Sequence, residues 1–168
     1  NLMIKKIHYH SDCRFFAGCE NMLVNFFDSK ELNENYELSF SFRDSEDYRN
    51  GFYKRVKSKI NYFPLNLPYI KNIVLPLKLH NNILERLINI IIRVLTNFPI
   101  LIYEVLILMG LFLKIKPDIV HVNSGGFPPT MSAKAALIAS HLCRVRKTIL
   151  VVNNLAKEYD SFSRIIDY

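Results

Sequence analysis

The sequence predicts an α/β protein: a Rossmann-like, doubly wound, mostly parallel sheet with helices on both faces and a helical insertion. Strand-like and helix-like periodicities alternate along most of the chain. The runs 119–122 and 148–152 are short, continuous and apolar, as strands buried on both faces of a parallel sheet are. A length of 168 residues suits one domain with its own core. With 50% hydrophobic and 22% charged residues, the composition excludes a disordered chain and a multi-span membrane protein alike.

Residues 3–9 read as the first strand, Ile4, Ile7 and Tyr9 lying in a β-prone run that ends in polar residues. From Glu20, Met22, Leu23, Phe26 and Phe27 recur at helical spacing, and Gly18 precedes them where a tight strand-to-helix turn favours a small residue. Residues 36–42 alternate Leu38, Phe40 and Phe42 with Glu37, Ser39 and Ser41, the period of a strand with one buried face. Residues 43–76 hold Pro64, Pro68 and Pro76 and mixed periods, giving a basic helix near 47–59 and otherwise short pieces. Together, residues of about 47–115 read as a basic and apolar helical insertion.

Residues 82–96 form an amphipathic helix, with Glu85, Arg86, Asn89, Arg93 and Thr96 on one stripe, and Pro99 marks a break. Residues 98–113 are apolar except for Glu104 and Gly110. That run falls short of the ~20 residues that span a bilayer, so it packs as a helix over the sheet or rests on a membrane surface. Pro117 ends it. A strand at 119–122, an alanine-rich helix at 131–143 and a strand at 148–152 complete the alternation.

The net charge of +7 is concentrated. Between Arg49 and Thr96 nine basic residues, among them Arg49, Lys54, Arg55, Lys57 and Lys59, face one acid, Glu85. Such a block suits an anionic membrane surface or a phosphorylated ligand, and equally a solvated basic face. It lacks the interleaved aromatics of a nucleic-acid module. No secretory signal opens the chain, and Cys13, Cys19 and Cys143 have no paired spacing, so free thiols in the cytoplasm are expected. The last residues stop without a capping signal, and the chain is expected to continue past Tyr168.

In open parallel sheets ligands bind beyond the carboxyl ends of the strands, which singles out three loops. The first leads through Ala17, Gly18 and Cys19 into a helix N-terminus, a place for an anion such as a phosphate or a plain turn. The second, Asn123-Ser124-Gly125-Gly126, joins polar side chains to glycines that let a ligand approach the backbone. The third offers Asn153 and Asn154, neutral groups suited to a sugar's hydroxyls or to capping a turn. GxGxxG, the P-loop and G-x-S-x-G are absent, so Ser124 is not read as a hydrolase nucleophile. His8, His10, Cys13 and Cys19 carry metal-ligating atoms without a metal-site spacing, so no metal is expected; Cys143 reads as a small core residue.

In order and in motif the chain resembles the N-terminal, acceptor-binding domain of family 4 glycosyltransferases, enzymes of the GT-B fold. Ala17-Gly18-Cys19-Glu20 looks like that family's Gly-Gly-x-Glu, the string KPDIVHVN at 116–123 is similar to its K-P-D-[VI]-[VI]-H-[VA]-[HN] strand, and TILVVNNL at 148–155 resembles its strand ending in a His-Asn pair. Ala17, Asn123 and Asn153 depart from the pattern where the family commonly has glycine or histidine, so no catalytic residue is assigned.

The resemblance implies the N-terminal half of a GT-B enzyme. Such an enzyme transfers a sugar from a nucleotide-sugar donor to an acceptor hydroxyl, with retention and without a metal or other cofactor, in polysaccharide or lipid-linked glycan synthesis. Its nucleotide-sugar pocket would belong to a C-terminal domain outside this sequence, without which the chain is expected to be inactive. Gly18, Cys19, Asn123, Ser124, Gly125, Gly126, Asn153 and Asn154 would be contacts. Peripheral attachment to the inner face of the membrane is expected. The alternative is a noncatalytic module that binds a membrane or recruits a separate catalytic subunit.

Overall fold

The computed structural model describes residues 5–13, 16, 18–68 and 82–153, apart from the side chains of residues 82–86, 89 and 93. Its elements are β1 (Lys5–Ser11), α1 (Gly18–Phe27), α2 (Lys30–Asn35), β2 (Tyr36–Arg43), α3 (Glu46–Arg55), β3 (Asn61–Leu65), α4 (Asn82–Ile115), β4 (Ile119–Ser124), α5 (Met131–Leu142) and β5 (Lys147–Val152). The five strands are all parallel, in the order β3-β2-β1-β4-β5. This is the Rossmann-like α/β fold that the alternating pattern predicts.

The strands present two different faces. Tyr9, Leu38, Phe40 and Phe42 turn toward α1 and α3, where Leu23, Phe27, Tyr48 and Phe52 complete an aromatic core. Val120 and Val122 turn the other way, onto Val105, Leu108 and Phe112 of α4 and Ala133, Ala136 and Ala139 of α5. The alanines let α4 and α5 lie close together over β4.

Three expectations change. The reading of 36–42 as a strand with one buried face is corrected, because Ser39 and Ser41 are buried as well. Each serine hydroxyl is within 2.8 Å of a histidine ring, and a hydrogen-bonded serine can be buried at little cost. The stretch read as a helical insertion contains β3, a regular member of the sheet. Pro64 hides it in the sequence, and an edge strand tolerates a proline because half its N–H groups have no ladder partner. Finally, Pro99 does not break the helix, and α4 runs through it for 34 residues. The proline deletes one rung, while Leu101, Val105, Leu108 and Phe112 hold the following turns against the core.

Gly51 answers a packing need that the sequence did not show. A Cβ at that position would overlap Phe16 Cβ and lie 3.1 Å from its Cγ. Phe16 stands edge-on to Tyr48 and Phe52, so α3 closes over the end of β2 only where that residue is glycine.

Candidate functional site

The connection from β1 leads to β2 on one side of the sheet, and β4 lies on the other, so a crevice opens at their carboxyl ends. Ser11 is in register with Asn123, and Ser124 with Val152, which brings the ends of β1, β4 and β5 together. On the β4 side Asn153 Nδ2 donates to Asn123 Oδ1 at 2.7 Å and to the Ser124 carbonyl at 3.0 Å. Ser124 Oγ donates to the Gly126 carbonyl at 2.8 Å, holding the glycine turn. Asn123 is buried, yet its Nδ2 has no hydrogen-bond partner among the described residues. The Phe127–Pro128 peptide that follows is cis. Asn154 lies outside the described residues.

On the β1 side Gly18 opens α1. Among the described residues an added Cβ there meets nothing within 4 Å, and no described glycine has a positive φ. The turn through Ala17 lies outside the described residues; at Gly18 itself the lack of a side chain leaves space beside a helix N-terminus among the described residues. Glu20 is fully buried, accepting from Ser11 Oγ and Cys19 Sγ, each at 2.9 Å. Cys13 Sγ lies 3.8 Å from Cys19 Sγ. Their hydrogen bond lowers the pKa of Cys19 and raises that of Cys13, with burial and Glu20 adding to the latter.

The sequence reading missed a buried ion cluster at the same edge. Arg43, the last residue of β2, donates through Nε and one terminal nitrogen to both oxygens of Asp12 (2.5 and 3.2 Å), and through that nitrogen to Glu104 Oε1 (3.2 Å). Its other terminal nitrogen reaches the carbonyls of Leu67 (2.6 Å) and Pro68 (2.7 Å). Asp12 also accepts from the backbone N–H of Ser132 in the first turn of α5, so that helix N-terminus already holds a carboxylate. The signal was present in Glu104, a lone acid in an apolar helix, which needs a cation when buried.

Asp12 and Glu104 titrate in opposite directions. Burial raises the Asp12 pKa, but two hydrogen bonds and the charge of Arg43 outweigh it and hold the pKa below the usual value. At Glu104 burial prevails over the shared arginine and raises the pKa to about 7. Glu104 Oε2 has no partner among the described residues.

His8 and His10 do not share a site with the cysteines. Both point from β1 to the α4 and α5 side, forming a chain Ser39, His8, Ser41, His10, Ser132 with links of 2.5–2.8 Å. Burial lowers their pKa values to about 3 and about 4, so both rings stay neutral and each can pass one hydrogen bond along. His121, within the KPDIVHVN string, packs between Tyr9 and Phe26 as a core residue. Asp118 of the string accepts from Lys6 N–H at 2.8 Å at the opposite edge of the sheet.

The basic block and the apolar helix occupy different layers. Arg49, Lys54 and Arg55 lie on α3, and Lys57 and Lys59 follow it; all are exposed, with Arg49 paired to Asp44. On the opposite face α4 presents a row of exposed apolar residues that includes Leu95, Phe98, Ile102, Leu106 and Leu113. By length and composition residues 90–115 are long and apolar enough to cross a membrane, with 28% of the most apolar stretch buried.

The buried titratable groups set an unusual pH response. Depressed histidines make stability fall as pH drops below 6.5, since the unfolded chain takes protons that the folded chain refuses until about 4 and 3. Glu104 acts oppositely: raised from 4.5 to about 7, it adds stability below 4.5 that is lost as pH rises through 7. Glu104→Gln removes that opposition. Near pH 5.5 its stability is expected to fall on acidification more steeply than that of the unaltered protein by about one proton, ~1.4 kcal/mol per pH unit, in urea unfolding. Equal slopes would contradict the assignment.

No protein-family profile matches the chain, and no curated protein matches its sequence. Solved structures do. A UDP-N-acetylglucosamine 2-epimerase superposes with a TM-score of 0.57 at 18% identity, over 95% of this chain and 36% of that one. The UDP-GlcNAc 2-epimerase from Neisseria meningitidis, bound to UDP-GlcNAc, superposes with a TM-score of 0.52 at 15% identity, over 94% and 34%. The chain thus spans about a third of the length of these two structures, and the likeness shows their Rossmann-like fold.

Proposed function

We propose that the chain is the acceptor-side domain of a glycosyltransferase that moves a sugar from a nucleotide-sugar donor to an acceptor hydroxyl. The observation that carries this reading is the crevice between β1 and β4. It offers neutral, preorganised hydrogen-bonding groups at Asn123, Ser124 and Asn153, as a polyhydroxyl ligand needs, beside the open N-terminus of α1 at Gly18. With α5 capped by Asp12, α1 is the helix end left for a donor phosphate. The family resemblance supplies the reaction class, and the epimerase likeness supports a fold used on nucleotide sugars.

In this reading the protein binds and orients, and His8 and His10 are not its acid-base groups, because both rings are neutral and hydrogen-bonded to serines. The complete polypeptide would include a donor-binding domain and act on a glycan or lipid-linked acceptor. Gly18→Val is expected to leave thermal stability within ~1 kcal/mol, since an added Cβ meets nothing within 4 Å among the described residues. In the complete polypeptide it should lower transfer by at least about tenfold, equivalent to ~1.4 kcal/mol. Unchanged transfer would remove Gly18 from the site, and interconversion of nucleotide-sugar epimers in place of transfer would replace the reading with an epimerase.

The exposed row on α4 favours contact with the cytoplasmic face of a membrane, where the helix lies in the interface and does not span. Its other side is bound into the core through Leu108 and Phe112 and through Glu104 to Arg43, contacts that insertion would break. Because the basic residues of α3 face away from this row, apolar burial dominates the contact. Changing both Phe98 and Leu106 to Asp is expected to abolish flotation with anionic vesicles, whereas high salt only reduces it. Flotation that survives the double substitution would favour a partner subunit as the helix's occupant.

A further inference from the structure

We propose that Cys13, Cys19 and Glu20 form a binding site for one thiophilic divalent cation of the zinc class, on the β1 side of the crevice. The three ligand atoms lie within 4.8 Å of one another. Two sulfurs bound to one tetrahedral zinc at ~2.3 Å stand about 3.8 Å apart. Cys13 Sγ and Cys19 Sγ stand 3.8 Å apart, so the pair already has the edge length of the coordination polyhedron. A disulfide would require the sulfurs to approach to ~2.05 Å, a much larger displacement.

The supporting shell is built for the same purpose. Cys19 and Glu20 are consecutive in the first turn of α1, and Cys13 lies two residues beyond the end of β1. Ser11 Oγ donates to Glu20 Oε1 at 2.9 Å and orients the carboxylate, whose Oε2 lies 2.9 Å from Cys19 Sγ. Two thiolates and a carboxylate favour zinc or cadmium over magnesium or calcium, which prefer oxygen. Three protein ligands leave a fourth position for water or a ligand oxygen. Cys13 Sγ lies 4.0 Å from where a Cβ would stand on Gly125, so the cluster faces the β4 turn.

The measurement is a zinc titration of the reduced protein against a chromophoric chelator, with cobalt as an optical probe of thiolate ligation. One equivalent is expected to bind, with a thiolate-to-cobalt charge-transfer band. Cys13→Ser and Cys19→Ser should each weaken binding by at least about 100-fold, and Cys143→Ser should leave it unchanged. If either variant fails to fold, alkylation of the unaltered protein decides the matter: zinc should shield Cys13 and Cys19 while Cys143 keeps its zinc-free labelling rate. Zinc affinity equal to that of the Cys13→Ser/Cys19→Ser double variant, or labelling of all three thiols unaffected by zinc, would overturn the site.

Discussion

Arg43 is the interaction on which the working edge of the sheet depends. Its five N–H donors meet Asp12, Glu104 and the carbonyls of Leu67 and Pro68, so one guanidinium ties together the loop after β1, the end of β2, the exit from β3 and the middle of α4. A lysine could not reproduce this, because the contacts use the planar fork of the guanidinium. Such a cluster is weak evidence for stability, since burying three charges is costly, but losing one member would strand the others. Its effect here is positional: Asp12, held by Arg43, caps α5, and α5 follows the Asn123–Gly126 turn.

Below that edge the α4 and α5 side of the sheet has a polar interior. The serine and histidine chain runs from Ser39 to Ser132, ending two residues beyond the N-cap of α5. A chain of neutral groups that each donate and accept fixes strand register and helix placement without charge. The crevice rests on this scaffold.

Much of this was legible in the sequence. The strands other than β3, the helix from Gly18 and the helix from Met131 follow from period and composition. β3 was masked by Pro64, and the continuity of α4 by Pro99, because a proline signals a break unless tertiary packing holds the chain through it. In the crevice Gly18, Asn123, Ser124 and Asn153 were found from their positions after strands. The long-range pairings were not: Arg43 with Asp12 and Glu104 joins residues 31 and 61 positions apart, and Cys13 with Cys19 and Glu20 depends on how a loop returns to its helix. Local pattern cannot encode such distances. It could have flagged Glu104, whose burial in an apolar helix demands a partner.

The central claim is that ligands enter between β1 and β4. Hydrogen–deuterium exchange of the complete polypeptide, with and without a nucleotide sugar, tests it most directly. The predicted result is slowed exchange at the amides of Gly18, Cys19 and Glu20 and of Gly125 and Gly126, on the two walls of the crevice. Protection confined to the depression between α5 and β5, lined by Ser140, His141, Arg144 and Thr148, would contradict it.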